Sequence, residues 1–154
     1  EATVLLHLYP KSKIEVVIWV LADDGGRLCA MINATTLAMV DAGIPLKDLL
    51  CACSAGLGPG DTPLVDLNRR EESRQQAVHL PCAMLPQRGT LVLAQCEARL
   101  PSLQNLETVL DAAMDGCRAV FDILQASIRE HSTSLLHSRA GQFSMVQHVF
   151  SKSS

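Results

Sequence analysis

Aromatic side chains are scarce in this sequence: one Trp, one Tyr and three Phe, 3% of 154 residues. Packing therefore falls to aliphatic side chains. No apolar run approaches the length of a bilayer, so no transmembrane helix and no membrane partner is expected. Charge of one sign is also lacking. A net charge of -3 argues against broad, non-specific nucleic-acid binding by the chain alone, although a local basic patch or a basic partner remains compatible with it. Cysteine pairs of the C-x-x-C kind are missing. The six cysteines stand at 29, 51, 53, 82, 96 and 117. Cys51 and Cys53 fall on one face of an expected strand but match no common zinc spacing. Each cysteine lies in apolar surroundings, which points to buried free thiols in a reducing compartment. There is no secretory signal, and the first residue is Glu rather than Met, so the chain is expected to begin inside a larger protein or to have been trimmed.

What is present is enough for a folded core. Hydrophobic residues make up 48% and charged residues 19%, in a length that suits one domain. Residues 2–9 read as the last turns of a helix. The run Ile14-Glu15-Val16-Val17-Ile18-Trp19-Val20-Leu21 is β-branched and predicts a buried strand over 14–22. Leu28 to Ala42 predicts a helix, stopped by Gly43 with Pro45 just beyond. A strand over 49–55, a Gly/Pro-rich turn over 56–63 and a short strand over 64–68 follow. Residues 69–76 are charged and read as a loop. Strands over 77–85 and 90–96, joined by Pro86-Gln87-Arg88-Gly89, read as a hairpin. Ser102 is the expected N-cap of a long helix to about Ser132. Its apolar residues Leu103, Leu106, Val109, Leu110, Ala113, Cys117, Val120, Phe121, Leu124 and Ile128 recur at three and four, giving one buried stripe. The Ser- and His-rich stretch 133–154 is expected to be a poorly ordered tail. The fold class is α/β or α+β.

The most informative stretch is Asp23-Asp24-Gly25-Gly26-Arg27, between the first strand and the first helix. A glycine turn that opens a helix collects free backbone N–H groups at the positive end of the helix dipole, which favours phosphate. Two adjacent glycines also make an ordinary strand-to-helix turn, so this feature alone does not decide. Other charged and nucleophilic residues read blandly. Arg69-Arg70-Glu71-Glu72 suits a solvated turn, and Lys11 and Lys13 suit a solubilising role. His131, His137 and His148 share no helical metal face, and Ser54 and Asp61 assemble no triad with a placeable histidine.

Asp24-Gly25-Gly26, Asn33-Ala34, Leu37-Ala38 and Asp41-Ala42-Gly43-Ile44-Pro45 together resemble the RNase PH family. So do Cys51-Ala52-Cys53-Ser54-Ala55-Gly56 and Asp66-Leu67-Asn68, with Glu71-Glu72-Ser73 close behind. The resemblance covers residues 1–132, read as a partial RNase PH-like domain. It implies βαβ units of the ribosomal protein S5 domain 2-like kind, with a mixed sheet and a long C-terminal helix. The family domain has a first half that these residues do not match, which leaves sheet edges and an apolar face to be covered.

Active members of that family cut RNA from its 3′ end with inorganic phosphate as nucleophile. Their glycine turn continues with Thr and Arg, where this chain has Arg27 and Leu28. The resemblance therefore leaves Gly25, Gly26 and Arg27 as a remnant phosphate- or RNA-binding corner. The family also places an acidic pair after the Asp-Leu-Asn strand, for metal binding and for protonating the leaving ribose oxygen. Glu72 holds the first place; the second falls on Val78, or on His79 if the loop carries one residue more. Valine has no proton to give, whereas histidine can act as a general acid near neutral pH. These degenerate positions lead to the expectation of no catalysis, no metal and no cofactor.

The resemblance further implies a ring subunit of the RNA exosome. Its partners would be other RNase PH-type subunits in a hetero-hexameric ring, RNA-binding cap subunits, an associated nuclease and single-stranded RNA. Its location would be the nucleus and nucleolus, and also the cytoplasm. Two alternatives stand beside it: an active phosphorolytic 3′-to-5′ exoribonuclease using Arg27, Glu72 and His79, and a truncated interaction module without an RNA role.

Overall fold

The computed structural model describes residues 3–73, 78–96 and 102–151, with side chains through Ser138. It forms two compact units, Glu1–Asp122 and Ile123–Ser154.

In the first unit, helix α1 (Arg27–Asp41) leads to strand β1 (Cys51–Leu57) and the short strand β2 (Pro63–Val65). A helical turn α2 (Arg69–Glu72), strand β3 (His79–Leu85) and strand β4 (Thr90–Ala94) follow. The four strands form one sheet in the order β2-β1-β3-β4, and all its ladders are antiparallel. The α/β class holds.

Alternation along β1 and β3 explains how both faces of the sheet are covered. Ala52 pairs with Ala83, and both pack with Cys29 of α1. Cys53 pairs with Cys82 and both point the other way. There they meet helix α3 (Leu103–Ser151): the Cys117 thiol donates to the Cys82 carbonyl at 3.6 Å, and Gly116 packs against Cys53 and Val65. With layers on both sides, β1 and β3 read as continuous apolar runs and are buried almost throughout. Of the expected helix stripe, Val109, Ala113 and Cys117 are buried and Leu103 is exposed. Ser102 caps α3, accepting the Asn105 N–H at 3.2 Å.

Side chains of α1 finish the edge of β1 where β2 has ended. The Asn33 amide accepts from the Ala52 N–H at 2.8 Å and donates to the Ala52 carbonyl at 2.9 Å. The Thr36 hydroxyl donates to the Leu50 carbonyl at 2.8 Å. Two side chains thus do for the strand what a neighbouring backbone would do.

Four expectations need correction. Residues 3–9 are not a helix end: Val4 forms an isolated bridge with Leu46, and only Leu6–Leu8 make a tight 3-10 turn. Residues 14–22 join no ladder among the described residues, and Val17, Trp19 and Leu21 are 68%, 83% and 96% exposed. β propensity does not make a strand where no backbone stands opposite. Residues 69–72 are a helical turn, closed by a capping box of Asn68 and Glu71; residues 74–77 lie outside the described set. Finally, α3 continues to Ser151 instead of ending near Ser132. Residues 133–140 hold neither Gly nor Pro to stop it, and Thr133 turns its hydroxyl back to the Arg129 carbonyl at 2.8 Å.

Candidate functional site

The glycine turn docks on the segment between β2 and α2. Gly25 has φ 104°, and a Cβ there would lie 2.5 Å from the Leu67 carbonyl oxygen and 2.7 Å from the Arg69 nitrogen. Only glycine permits that approach. The Arg69 N–H donates to the Asp24 carbonyl at 2.7 Å, which fastens the two segments together. Gly26 follows at φ 59° and caps α1, its carbonyl accepting the Ala30 N–H at 3.0 Å.

No side chain of the turn itself caps α1. The Gly26 N–H instead donates to Glu72 Oε1 at 2.8 Å, across 46 residues of sequence. His79 Nε2 lies 3.2 Å from the same oxygen, off the line for a hydrogen bond, so that contact is electrostatic and attractive only when the imidazole is protonated. The Ser54 hydroxyl, buried and without a hydrogen-bond partner, lies 4.0 Å from the point a Gly26 Cβ would take. Asp66 Oδ1 lies 3.3 Å from that point, held there by a backbone at φ 60°.

Arg27 turns away from this carboxylate. Its Nη1 pairs with Asp23 Oδ2 at 3.4 Å, and Arg69 Nη1 approaches the same oxygen at 3.7 Å. Both guanidiniums are largely exposed, so these pairs orient more than they stabilise. Val78 is buried at 4% exposure, its carbonyl pressed against Gly56. Of the six residues picked out in the sequence, Gly26, Glu72 and His79 thus meet around one oxygen atom. Gly25 supplies the turn, Arg27 faces Asp23, and Val78 is core. Sequence reading missed Ser54 and Asp66 as neighbours of the corner. Both sat in the motif runs, but only the fold brings β1 and the end of β2 to the start of α1.

The thiols offer no reactive alternative. None of the six cysteines is in a disulfide, and five are buried. Burial pushes Cys29 and Cys51 up to about 12, helped by nearby Cys53 and Asp48 respectively. The Cys117 thiol is also raised and the Cys82 thiol lowered, chiefly by the contact between their two side chains. Among the described residues, no three His, Cys, Asp or Glu side chains gather as a metal site, and no helix is long and apolar enough to cross a membrane.

The chain that builds this glycine corner, acidic bend and antiparallel sheet is similar to members of the RNase PH family. The family model described as the 3′ exoribonuclease family, domain 1, matches residues 1–45. The particular relatives are exosome components. The chain is 44% identical over 131 residues to the exosome complex component RRP41 of Homo sapiens, covering 85% of this chain and 52% of that protein. It is 41% identical over 140 residues to the RRP41 homolog of Arabidopsis thaliana, covering 91% and 57%, and 38% identical over 130 residues to Rrp41 of Thermococcus kodakarensis, covering 84% and 51%. The chain therefore spans about half the length of these curated relatives. The crystal structure of rice Rrp46 shares the fold, with a TM-score of 0.65 at 23% identity over 71% of this chain and 51% of that one.

Proposed function

We propose that this chain serves as a catalytically silent RNase PH-type ring subunit of an RNA exosome. In this reading it helps to build the channel that threads single-stranded RNA towards a nuclease elsewhere in the complex. Its neighbours are other RNase PH-type subunits in a six-membered ring, with RNA-binding cap subunits above, and it works in the nucleus, nucleolus and cytoplasm. The similarity to exosome components supports the assembly. The silence rests on one observation: of the two residues that can stand in the place of the second acid, Val78 is an apolar side chain buried in the core, and His79 is not a carboxylate. A missing general acid costs about two to four powers of ten in rate. Arg27 faces Asp23, and Leu28 stands where the resemblance would put the phosphate-gripping arginine.

The test is phosphorolysis by a reconstituted ring that contains this chain and no other nuclease. Single-stranded RNA incubated with it and inorganic phosphate is expected to yield no nucleoside diphosphates. Phosphate-dependent release of diphosphates, abolished by His79→Ala, would instead establish the exoribonuclease with His79 as its acid. Failure of the chain to co-elute with ring subunits on size exclusion would overturn the scaffold reading.

A further inference from the structure

Residues 16–22 have the makings of a strand without a pair. Exposure alternates along them: Val17, Trp19 and Leu21 are 68%, 83% and 96% exposed, against 44%, 44% and 51% for Val16, Ile18 and Val20. That two-residue period is the mark of extended backbone with one face covered. The covered face looks to α1: Ile18 lines an apolar cavity of about 210 Å³ with Leu28, Met31 and Ile32. Among the described residues, no hydrogen bond reaches the backbone N–H or C=O groups of residues 14–22. Elsewhere the chain finishes such an edge with side chains, as Asn33 and Thr36 do for β1. Residues 16–22 have no such helper among those described. They also contain no charge and no Pro, the usual devices that keep an edge from pairing.

We infer that this edge is a self-pairing surface whose partner is a second copy of the chain, laid antiparallel with Ile18 opposite Ile18. The charges select that occupant and that direction. Lys13 stands before the apolar run and Asp23 after it. In antiparallel register about Ile18, Lys13 of each copy faces Asp23 of the other. A parallel pair would set Lys13 against Lys13 and Asp23 against Asp23, which is unfavourable. Lys13 now meets Glu15 at 2.8 Å and Asp23 meets Arg27 at 3.4 Å; both cations are largely exposed, and such pairs exchange readily. The same register puts Trp19 opposite Val17 of the second copy on the outward face, twice by symmetry. A bare two-stranded ribbon is marginal in water, but here each strand brings α1 as a backing layer. The inference goes beyond the ring reading and does not rest on it.

Sedimentation of the 154-residue chain, followed from micromolar to near-millimolar concentration, tests it. A monomer–dimer equilibrium is expected, with amide exchange slowing at alternate residues of 14–22 as the dimer forms. Three substitutions at exposed positions report on the register without touching the core. Val17→Asp sets a carboxylate opposite Trp19 of the second copy and is expected to raise the dimer dissociation constant at least about tenfold. Lys13→Asp faces Asp23 of the second copy and is expected to raise it several-fold. Leu21→Lys faces Glu15 of the second copy and is expected to leave the dimer as tight as in the wild type, or tighter. Unspecific apolar contact predicts the reverse, since Leu21 is the most exposed residue of the run. A chain that stays monomeric, that grows into open-ended aggregates, or whose dimer is untouched by Val17→Asp or by Lys13→Asp would overturn the inference. Equal weakening by Val17→Asp and Leu21→Lys would overturn it too.

Discussion

Gly25 and Gly43 both sit at positive φ, 104° and 71°, yet they answer to different constraints. Nothing stands within 4 Å of where a Gly43 Cβ would be, whereas a Gly25 Cβ would run into the backbone of Leu67, Asn68 and Arg69. Gly43→Ala is expected to cost about 1 kcal/mol, the penalty of the left-handed region alone. Gly25→Ala must push the glycine corner off the β2–α2 segment, and is expected to cost more than about 3 kcal/mol, read as a drop in urea midpoint. The two glycines look alike in sequence: each follows an apolar run by a few residues, with aspartate between. What separates them is a neighbour from another part of the chain, and no local pattern carries that. Asn33 was visible as part of a motif, but its task of completing the β1 edge was not, because the edge exists only once β2 stops short.

Helix α3 shows how an element's own propensity can be overruled by its neighbour. Gly116 lies in the interior of a long helix, where Ala would ordinarily stabilise by about 1 kcal/mol. Here an added Cβ would lie 2.6 Å from Cys53 Sγ and 3.0 Å from Val65 Cγ1. Gly116→Ala is therefore expected to destabilise, by about 1–3 kcal/mol. Combining it with Cys53→Ala is expected to recover part of that loss, a coupling that a double-mutant cycle with chemical denaturation would measure. Most elements were legible because each carries its own punctuation: Gly43 and Pro45 after α1, Ser102 before α3, Pro86 to Gly89 between β3 and β4. The helical turn at 69–72 was legible too, through Asn68 followed three residues later by Glu71, but the charge run around it reads first as loop. The end of α3 was misplaced because Ser and His lower helix propensity only slightly, and a helix stops reliably only at a stronger breaker.

At the scale of the whole molecule, the buried thiols tie stability to pH. Cys29 and Cys51 are raised from 9.0 to about 12 in the folded chain. Between those values the unfolded chain has given up protons that the folded chain still holds. Stability conferred by these groups is therefore full below pH 9 and falls as pH rises towards 12. Denaturation midpoints measured at successive pH values are expected to decline over that range, and less steeply in Cys51→Ala than in the wild type. The family likeness was readable from motif runs alone, since those runs are the corner, the β1 strand and the acidic bend that the fold brings together. The largest misreading, the strand at 14–22, belongs to this scale as well: residue pattern specifies a willingness to pair, and the pair itself is a property of two segments.

That unladdered stretch places the chain's single tryptophan, Trp19, in water at 83% exposure. The indole is thus an intrinsic optical gauge. Its emission in the free chain should sit at the long wavelengths of hydrated indole and quench readily with acrylamide, and whatever comes to lie over residues 16–21 should announce itself as a blue shift, without any label attached.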